Sequence, residues 1–320
     1  MYMNLEIMFH FCMMMGVIMA ISSNTWFSIW VGLELSLMCF IPIMSNKLKL
    51  NSESCIKYFI IQSLSSSVLM MGVILTSMEI NQMKMMLMMA ILLKLGVSPL
   101  HTWVLSIIEG MKYYSIFIML TLMKLPPLTL ISYNDLNLNF IIMASLITGA
   151  ISGLNQNSIK KIFSYSSIFN MAFMISCINT NAIWLTYFIL YSLSLMLMNI
   201  IVMKLNINFI NQLILNKFNS PLKLSSWMTM LSMGGFPPLM GFFSKMIIIK
   251  QVLIMNNLLI LTMMIMSSLI IMFFYMRMTF LSMMLYMNMP KWMMMKFNFN
   301  SYMIISSLLL PMLLFNLKSI

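Results

Sequence analysis

Four ionisable residues lie within stretches so apolar that we expect these stretches to cross a membrane. They are Glu34, Lys94, Lys124 and Lys245. A charge at the depth of the bilayer core costs at least about 2.5 to 3.5 kcal/mol, so it persists mainly where it faces a polar interior. Burial disfavours the charged form of either group and an opposite charge favours it, so small rearrangements can load and release a proton. The four residues therefore predict an ion or proton path.

A chain of proton transfers is the interpretation we favour for these residues. In it, Glu34 pairs with Lys94 and tunes it, Lys124 stores and relays a proton, and Lys245 passes it on. The alternative is structural: a buried ion pair between Glu34 and Lys94, with the other two lysines reaching an interface through their aliphatic stems. The position of Lys124 near the centre of its apolar stretch argues against this alternative.

Other polar side chains in the same stretches are candidates for bridging the gaps between the charges. His101 could add a proton-accepting group because an imidazole titrates near neutrality, although a hydrogen-bonded, packing histidine explains it equally well. Polar residues also hold membrane helices together, so packing is the simpler explanation for the remainder. These are Gln62, Ser65 to Ser67, Asn155, Gln156, and Ser164 to Ser167 with Tyr165.

The composition is that of a chain embedded in lipid. Of the 320 residues, 62% are apolar and 8% are charged, and the mean hydropathy is +0.97. A spanning helix needs about 20 apolar residues. Eleven stretches meet this condition: 3–22, 25–45, 56–77, 83–106, 113–132, 138–155, 160–178, 181–204, 225–253, 257–276 and 301–317. The sequence therefore predicts an all-α integral membrane protein with about eleven transmembrane helices in a single domain, residues 1–320.

The basic residues are distributed unevenly between the two sides of these predicted helices. If the N-terminus faces the side of synthesis, twelve basic residues lie on that side and three on the other. The twelve are Lys47, Lys49, Lys57, Lys112, Lys160, Lys161, Lys204, Lys217, Lys223, Arg277, Lys291 and Lys296, and the three are Lys84, Lys250 and Lys318. We therefore place the N-terminus on the side of synthesis and the C-terminus, after eleven crossings, on the opposite side. Membrane topology explains the net charge of +12 better than nucleic-acid binding does, since no basic stripe is present.

Two predicted spans carry helix breakers in their interior, which lipid tolerates only where the freed backbone groups face protein or a water-filled cavity. The fourth contains Gly96 and Pro99, and the ninth contains the breakers Gly234, Gly235, Pro237 and Pro238. The predicted spans form two blocks, spans 1 to 5 and 6 to 10, and each interrupted span is the fourth of its block. Because five is an odd number of crossings, the second block has the opposite orientation in the membrane. Paired discontinuous helices in inverted repeats are typical of transporters. We expect repeat units at about 1–135 and 136–285, with an extra C-terminal helix at about 301–317.

Neither the cysteines nor any short motif predicts a cofactor or metal site on this chain. Cys12, Cys39, Cys55 and Cys177 are scattered without a CxxC pair or a histidine at metal-ligand spacing, so we expect them to be free, buried and inert. Nothing resembles a glycine-rich nucleotide loop or an iron-sulphur cysteine run. The 47 methionines indicate a mitochondrial code that reads AUA as Met, and the N-terminus lacks an import-type helix. Both features favour synthesis inside the organelle.

At these residues the sequence resembles the mitochondrially encoded subunit 2 family of NADH dehydrogenase, the antiporter-like membrane subunits of respiratory complex I. Four segments carry the resemblance. They are Trp30 to Ser36 (WVGLELS), Lys94 to Trp103 (KLGVSPLHTW), Gly153 to Ser167 (GLNQNSIKKIFSYSS) and Leu231 to Lys245 (LSMGGFPPLMGFFSK). Eleven spans fit the shortened animal form of this family. Its proton-path glutamate and lysines correspond to Glu34, Lys94, Lys124 and Lys245.

The resemblance implies a proton-pumping subunit of the mitochondrial inner membrane without a redox centre of its own. NADH, FMN, iron-sulphur clusters and ubiquinone are then expected on other subunits. The expected partners are other membrane subunits of complex I, including adjacent antiporter-like subunits, together with lipids. The second repeat departs from the first, since span 7 offers no acid where span 2 has Glu34. Lys245 is therefore left without an obvious carboxylate partner, and a neighbouring subunit is a candidate source of one.

Two other functions remain open at this point. A subunit of a multi-subunit cation/proton antiporter would share the architecture, and sodium-dependent transport without NADH would identify it. A structural membrane scaffold would use its buried charges only to fix helix register, so that lysine replacement would affect assembly and not pumping.

Overall fold

The structure is a computed structural model, and it describes residues 2–45, 49–78, 84–133, 137–180, 183–215 and 220–284. Within these ranges the chain is helical and contains no strand beyond a single bridge between Ser158 and Phe209. Six segments are long and apolar enough to cross a membrane: Leu5–Ser22, Trp26–Met44, Lys49–Ser77, Tyr113–Ser132, Ile183–Leu205 and Leu258–Met283. The all-α membrane class is confirmed. The count of eleven stays a prediction, since the last predicted span, 301–317, lies outside the described residues.

The chain divides into two compact units, Met1–Asn137 and Leu138–Ile320. In the first unit the helices are α1 Tyr2–Ser22, α2 Trp26–Met44, α3 Lys49–Ser77, α4 Lys84–Leu95, α5 Thr102–Ile108, α6 Tyr113–Leu120 and α7 Leu125–Ser132. In the second they are α8 Asn139–Leu154, α9 Ile159–Ser176, α10 Ile183–Leu205, α11 Gln212–Leu215, α12 Ser220–Gly234, α13 Met240–Ile254 and α14 Leu258–Met284. That the units are inverted repeats of one domain stays a prediction.

Helix α3 begins earlier than the sequence predicts. It starts at Lys49, seven residues before the predicted span 56–77, so Lys49 and Glu53 also lie within the helix. There Lys57 donates a 2.6 Å hydrogen bond to Glu53, one turn before it, in an exposed ion pair. A pair at this spacing lets the polar first turns of α3 remain helical.

Small residues let the helices of each unit pack closely, as is common in membranes. In the first unit, a Cβ atom on Gly16 of α1 would lie 2.7 Å from the backbone nitrogen of Ser36 on α2. In the second, a Cβ on Gly149 of α8 would lie 2.9 Å from the backbone nitrogen of Phe169 on α9. Helix α9 is the core of this unit, since every residue in it except Lys160, Lys161 and Ser176 is buried.

Both helix interruptions that the sequence predicts are present. Helix α4 ends at Leu95, and Gly96 follows with φ of +66° before α5 begins at Thr102. Helix α12 ends at Gly234, and Gly235 follows with φ of +84° before α13 begins at Met240. Glycine is the residue that adopts this left-handed conformation without a steric penalty. The predicted breakers Pro99, Pro237 and Pro238 lie inside the two interruptions.

A third interruption, in the fifth predicted span, corrects the expectation of a continuous helix over 113–132. Helix α6 ends at Leu120, a single 3-10 turn covers Leu122–Lys124, and α7 then begins at Leu125. The cause is the proline pair Pro126 and Pro127, which lacks two backbone N–H groups and disfavours helical conformation in the preceding residues. The pair lies two and three residues after Lys124 and is the signal that the sequence interpretation overlooked.

Candidate functional site

Two buried lysines of the first unit line one cavity. The cavity offers about 20 Å³ to the centre of a water molecule, and about 10 to 15 Å³ suffices for one water. Lys94 and Lys124 are 7% and 3% exposed, so the structure brings together two of the residues selected from the sequence. The other lining residues are Leu33, Ser36, Leu37, Tyr58, Gln62, Trp103, Met119, Met123 and Pro127.

Each of these lysines lies at a helix interruption. Lys94 is in the last turn of α4, and Lys124 is the last residue of the 3-10 turn before α7. The carbonyl groups at the end of a helix carry partial negative charge, which stabilises a nearby ammonium group. Pro127 cannot donate the helical hydrogen bond to the Met123 carbonyl because it has no N–H. Met123 and Pro127 both line the cavity, so this missing helical hydrogen bond falls at the cavity wall.

Glu34 does not form the direct ion pair with Lys94 that the sequence analysis expects. The Glu34 carboxylate and the Lys94 ammonium do not come within the 4.0 Å of an ion pair. Glu34 is half-buried on α2, between Leu33 and Ser36 of the cavity wall, and it interacts electrostatically with Lys94 at longer range. The carboxylate is therefore near enough to favour the charged lysine. A direct contact would need a side-chain rearrangement or a bridging water.

His101 lies apart from the residues that line this cavity. It precedes the first residue of α5, is half-buried, and makes no side-chain cap to that helix. The wall of the cavity near α5 is provided by Trp103, whose indole Nε1 donates a 3.1 Å hydrogen bond to the Leu93 carbonyl. That bond joins the two halves of the interrupted span. A proton-transfer role for His101 stays a prediction.

Lys245 occupies the corresponding feature of the second unit. It projects from α13, is 6% exposed, and donates a 2.8 Å hydrogen bond to the carbonyl of Gly234, the last residue of α12. Its ammonium also lies 5.4 Å from the centroid of the Phe169 ring. A helix C-terminus and the face of an aromatic ring both attract a cation. This burial argues against the alternative in which Lys245 extends to an interface.

A second water-sized cavity, with about 20 Å³ open to the centre of a water molecule, adjoins Lys245. Its polar wall is rich in hydroxyl groups and contains no acid. Tyr187 donates a 2.7 Å hydrogen bond to Oδ1 of Asn170 across this wall. The lining residues are Asn170, Tyr187, Leu190, Tyr191, Ser194, Ser232, Met233, Gly241, Ser244 and Lys245.

The absence of acids from the second unit is a property of the sequence. The chain contains six acidic residues, all of them before residue 138: Glu6, Glu34, Glu53, Glu79, Glu109 and Asp135. No carboxylate side chain of residues 138–320 can therefore neutralise Lys245. Its stabilisation within the unit comes from neutral groups, as the contacts to Gly234 and Phe169 show.

Residues 23–272 match the family of NADH:quinone oxidoreductase and Mrp antiporter transmembrane domains. NADH-ubiquinone oxidoreductase chain 2 of Anopheles gambiae is 35% identical over 255 residues, which cover 75% of each chain. The protein of the same name from Aedes aegypti is 36% identical over 265 residues, covering 78% of this chain and 77% of the relative. This chain belongs to the NADH-ubiquinone oxidoreductase chain 2 family. The resemblance carried by the four sequence motifs is confirmed.

The fold agrees with this assignment to the chain 2 family. A chain of respiratory complex I from Thermus thermophilus superposes with a TM-score of 0.77 at 20% identity, over 83% of this chain and 68% of that one. At this level of identity the likeness supports the fold, which is the antiporter-like membrane fold expected from the sequence.

Several cavity residues of this chain 2 family member are absent from the sequence-based candidates. Tyr187, Tyr191 and Ser194 are spaced at i, i+4 and i+7 on α10, which places them on one face of the helix. That spacing is a signal the sequence analysis could have used. Asn170 and Tyr58 carry no comparable local signal, because they become cavity residues only when other helices pack against them.

The remaining candidates divide by environment. Gln62 lines the first cavity, whereas the hydroxyls of Ser65, Ser66 and Ser67 donate to carbonyls of their own helix.

Among the described residues, no group of three His, Cys, Asp or Glu side chains could hold a metal ion. The expectation that all four cysteines are buried is wrong for two, since Cys12 is exposed and Cys39 is half-buried.

Proposed function

We propose that this chain translocates protons as a membrane subunit of an NADH:ubiquinone oxidoreductase in the mitochondrial inner membrane. Its membership of the chain 2 family supports this assignment. NADH oxidation and ubiquinone reduction then belong to other subunits, which hold FMN and the iron-sulphur clusters. The partners are the other membrane subunits, including adjacent antiporter-like subunits, and lipids. The basic residues support an N-terminus in the matrix and a C-terminus in the intermembrane space.

The observation that carries the proton-transfer proposal is the cavity shared by Lys94 and Lys124. Two ammonium groups at one buried site repel each other, so the charge of one changes the energy of protonating the other. A water between them, held by Tyr58, Gln62 or Ser36, would give the proton a path. Glu34 acts from the edge of this site by favouring the charged form of Lys94. Lys245 receives or releases the proton in the second unit.

The decisive experiment replaces Lys124 by methionine in the assembled complex, reconstituted in sealed vesicles. Methionine keeps the length and apolar contacts of the buried stem and removes the titratable amine. We expect NADH-driven proton uptake to fall, with NADH oxidation either lost or uncoupled from it. The matched control is Lys57→Met, which removes an exposed lysine that lies outside the cavity.

Two results would contradict the proposal. An assembled Lys124→Met complex that pumps and oxidises NADH at the parental rates would reduce Lys124 to a structural charge and favour a scaffold function. Sodium-dependent transport that continues without NADH would instead identify a cation/proton antiporter subunit, a function that the matching family also contains.

A further inference from the structure

The second unit has a buried lysine that lacks a carboxylate partner but has a buried tyrosine beside it. Tyr191 on α10 lines the same water-sized cavity as Lys245 and is 4% exposed. Its hydroxyl makes no hydrogen bond of good geometry with the described residues, although Ser167 and Asn170 lie beside it. A buried hydroxyl without a partner costs free energy unless water or a second conformation satisfies it. The cavity provides the space for that water.

Apart from Lys245, the side chains that line the cavity with Tyr191 are uncharged, and several carry hydroxyl groups. Tyr275 on α14 lies within electrostatic reach of Tyr191, and its own hydroxyl is buried beside Ser166 without a hydrogen bond of good geometry. Tyr187, by contrast, is held by its hydrogen bond to Asn170. Of the two tyrosines on the cavity wall, Tyr191 is therefore the one whose hydroxyl is able to turn toward a water.

We propose that Tyr191, acting through one water in this cavity, is the proton-exchange partner of Lys245 and takes the place that an acid would occupy. This inference rests on the proposed proton-translocating function. The geometry assigns Tyr191 because a hydroxyl both accepts and donates a hydrogen bond, whereas the Gly234 carbonyl that holds Lys245 can only accept one.

The transfer conserves protons at every step. The Lys245 ammonium gives one proton to the water while the water gives one of its own to the Tyr191 oxygen. Tyr191 passes its original hydroxyl proton to Ser167 or Tyr275, and that hydroxyl passes its own proton on to water. Each hydroxyl is therefore neutral before and after the transfer, and the proton leaves in hydrated form. Lys245 is left as a neutral amine, still beside the Gly234 carbonyl, to which the amine can donate a hydrogen bond. No charged intermediate has to persist on the tyrosine.

The test uses the assembled complex in sealed vesicles, with proton uptake and NADH oxidation measured on three variants. Tyr191→Phe removes only the hydroxyl. Tyr165→Phe is the matched control, because Tyr165 is also a buried tyrosine of this unit but does not line the cavity. Lys245→Met reports whether the lysine itself is needed. We expect Tyr191→Phe to lower proton uptake at least about tenfold, since a positioned proton-transfer group typically contributes on the order of 10² to 10⁴.

The outcomes separate the two proposals. Loss of uptake in Lys245→Met together with parental uptake in Tyr191→Phe overturns the role of Tyr191 and leaves the proposed function in place. Parental uptake in Lys245→Met overturns the proton role of Lys245 and the inference with it. Loss in both, with the Tyr165→Phe complex unaffected, supports the inference.

Variants that change the proton chemistry of residue 191 distinguish a proton-transfer role for Tyr191 from a structural one. Tyr191→His keeps a proton-exchanging group, so we expect it to restore part of the uptake lost in Tyr191→Phe. If the phenylalanine variant does not assemble, 3-fluorotyrosine at position 191 keeps the ring and the hydroxyl but makes the hydroxyl more acidic. The proposal expects the pH profile of proton uptake to shift in that complex, and an unchanged profile would overturn it.

Discussion

The two units bury lysine by different means. In the first unit Lys94 and Lys124 share a cavity, and Glu34 interacts electrostatically with Lys94 from its edge. In the second unit a single lysine, Lys245, is hydrogen-bonded to a helix-end carbonyl and lies near an aromatic ring. Both cavities offer about 20 Å³ to the centre of a water. Cavities of similar volume therefore contain two lysines in the first unit, and one lysine among neutral hydroxyls in the second.

The comparison shows that a helix interruption, and not an ion pair, is the common element. Lys94 and Lys124 lie at helix interruptions, and Lys245 reaches the end of α12 from within α13. The end of a helix supplies carbonyls with partial negative charge. A carboxylate adds a full charge that can be switched by protonation, whereas a carbonyl is a fixed acceptor. The first unit is thus suited to storing charge, and the second to passing a proton without holding an opposite charge.

The first unit has a carboxylate near its buried lysines and the second does not. Replacing Glu34 by glutamine removes this difference and should have the largest effect. Glutamine keeps the size and the polar character of the side chain but removes its charge. We expect NADH-driven proton uptake to fall at least about tenfold, because a positioned acid or base contributes on the order of 10² to 10⁴ to the step that it serves. Glu34→Asp, which keeps the carboxylate, should retain a measurable part of the rate. Parental uptake in the glutamine variant would show that the first unit also works without an acid.

Gly235→Ala tests the carbonyl contact of the second unit. A Cβ atom at this position would lie 2.8 Å from the Lys245 ammonium nitrogen, and the residue has φ of +84°. We expect a loss of about 1 to 2 kcal/mol in stability from the left-handed conformation, and a roughly fivefold lower proton uptake, the equivalent of about 1 kcal/mol at the site. Thermal unfolding and vesicle assays measure the two effects.

The neighbouring residue provides the control for this prediction. Gly234→Ala keeps the carbonyl that binds Lys245, and its Cβ would meet the Tyr275 Cβ at 3.3 Å, where a small shift suffices. Uptake should therefore stay near the parental value. If the two alanine variants behave alike, the contact between Lys245 and the helix end is not what sets the rate.

Pro127→Ala should give the smallest effect. Alanine supplies the N–H that can bond to the Met123 carbonyl, so the interruption beside Lys124 should shorten and α7 should become no less stable. We expect an unchanged or higher thermal midpoint and about twofold less proton uptake, the equivalent of roughly 0.4 kcal/mol. Pro42→Ala is the control, since Pro42 lies inside α2 but outside the cavity wall. If Pro127→Ala and Pro42→Ala change proton uptake equally, the helix interruption beside Lys124 has no specific role in uptake.

Most residues of the candidate site can be selected from local sequence, but the contacts between them cannot. Depth in an apolar stretch selects Glu34, Lys94, Lys124 and Lys245 without any structure, because the cost of burying a charge depends mainly on the apolarity around it. The expected contact between Glu34 and Lys94 is absent at 4.0 Å, since direct contact depends on the rotation of α2 and α4 about their axes. The spacing of Tyr187, Tyr191 and Ser194 indicates a polar face on α10, but it does not show that α13 brings a lysine to that face.

The sequence by itself determined the membrane class and the approximate positions of the helices in the described residues. It also determined two of the three interruptions and the lack of acids in residues 138–320. These are properties of short segments, set by apolar length and by the backbone chemistry of glycine and proline. The tertiary structure decided which lysines share a cavity, what holds Lys245, and which tyrosine has an unsatisfied hydroxyl. Those features depend on how helices distant in sequence rotate and pack, and close packing admits one such arrangement among many that the same apolar pattern allows.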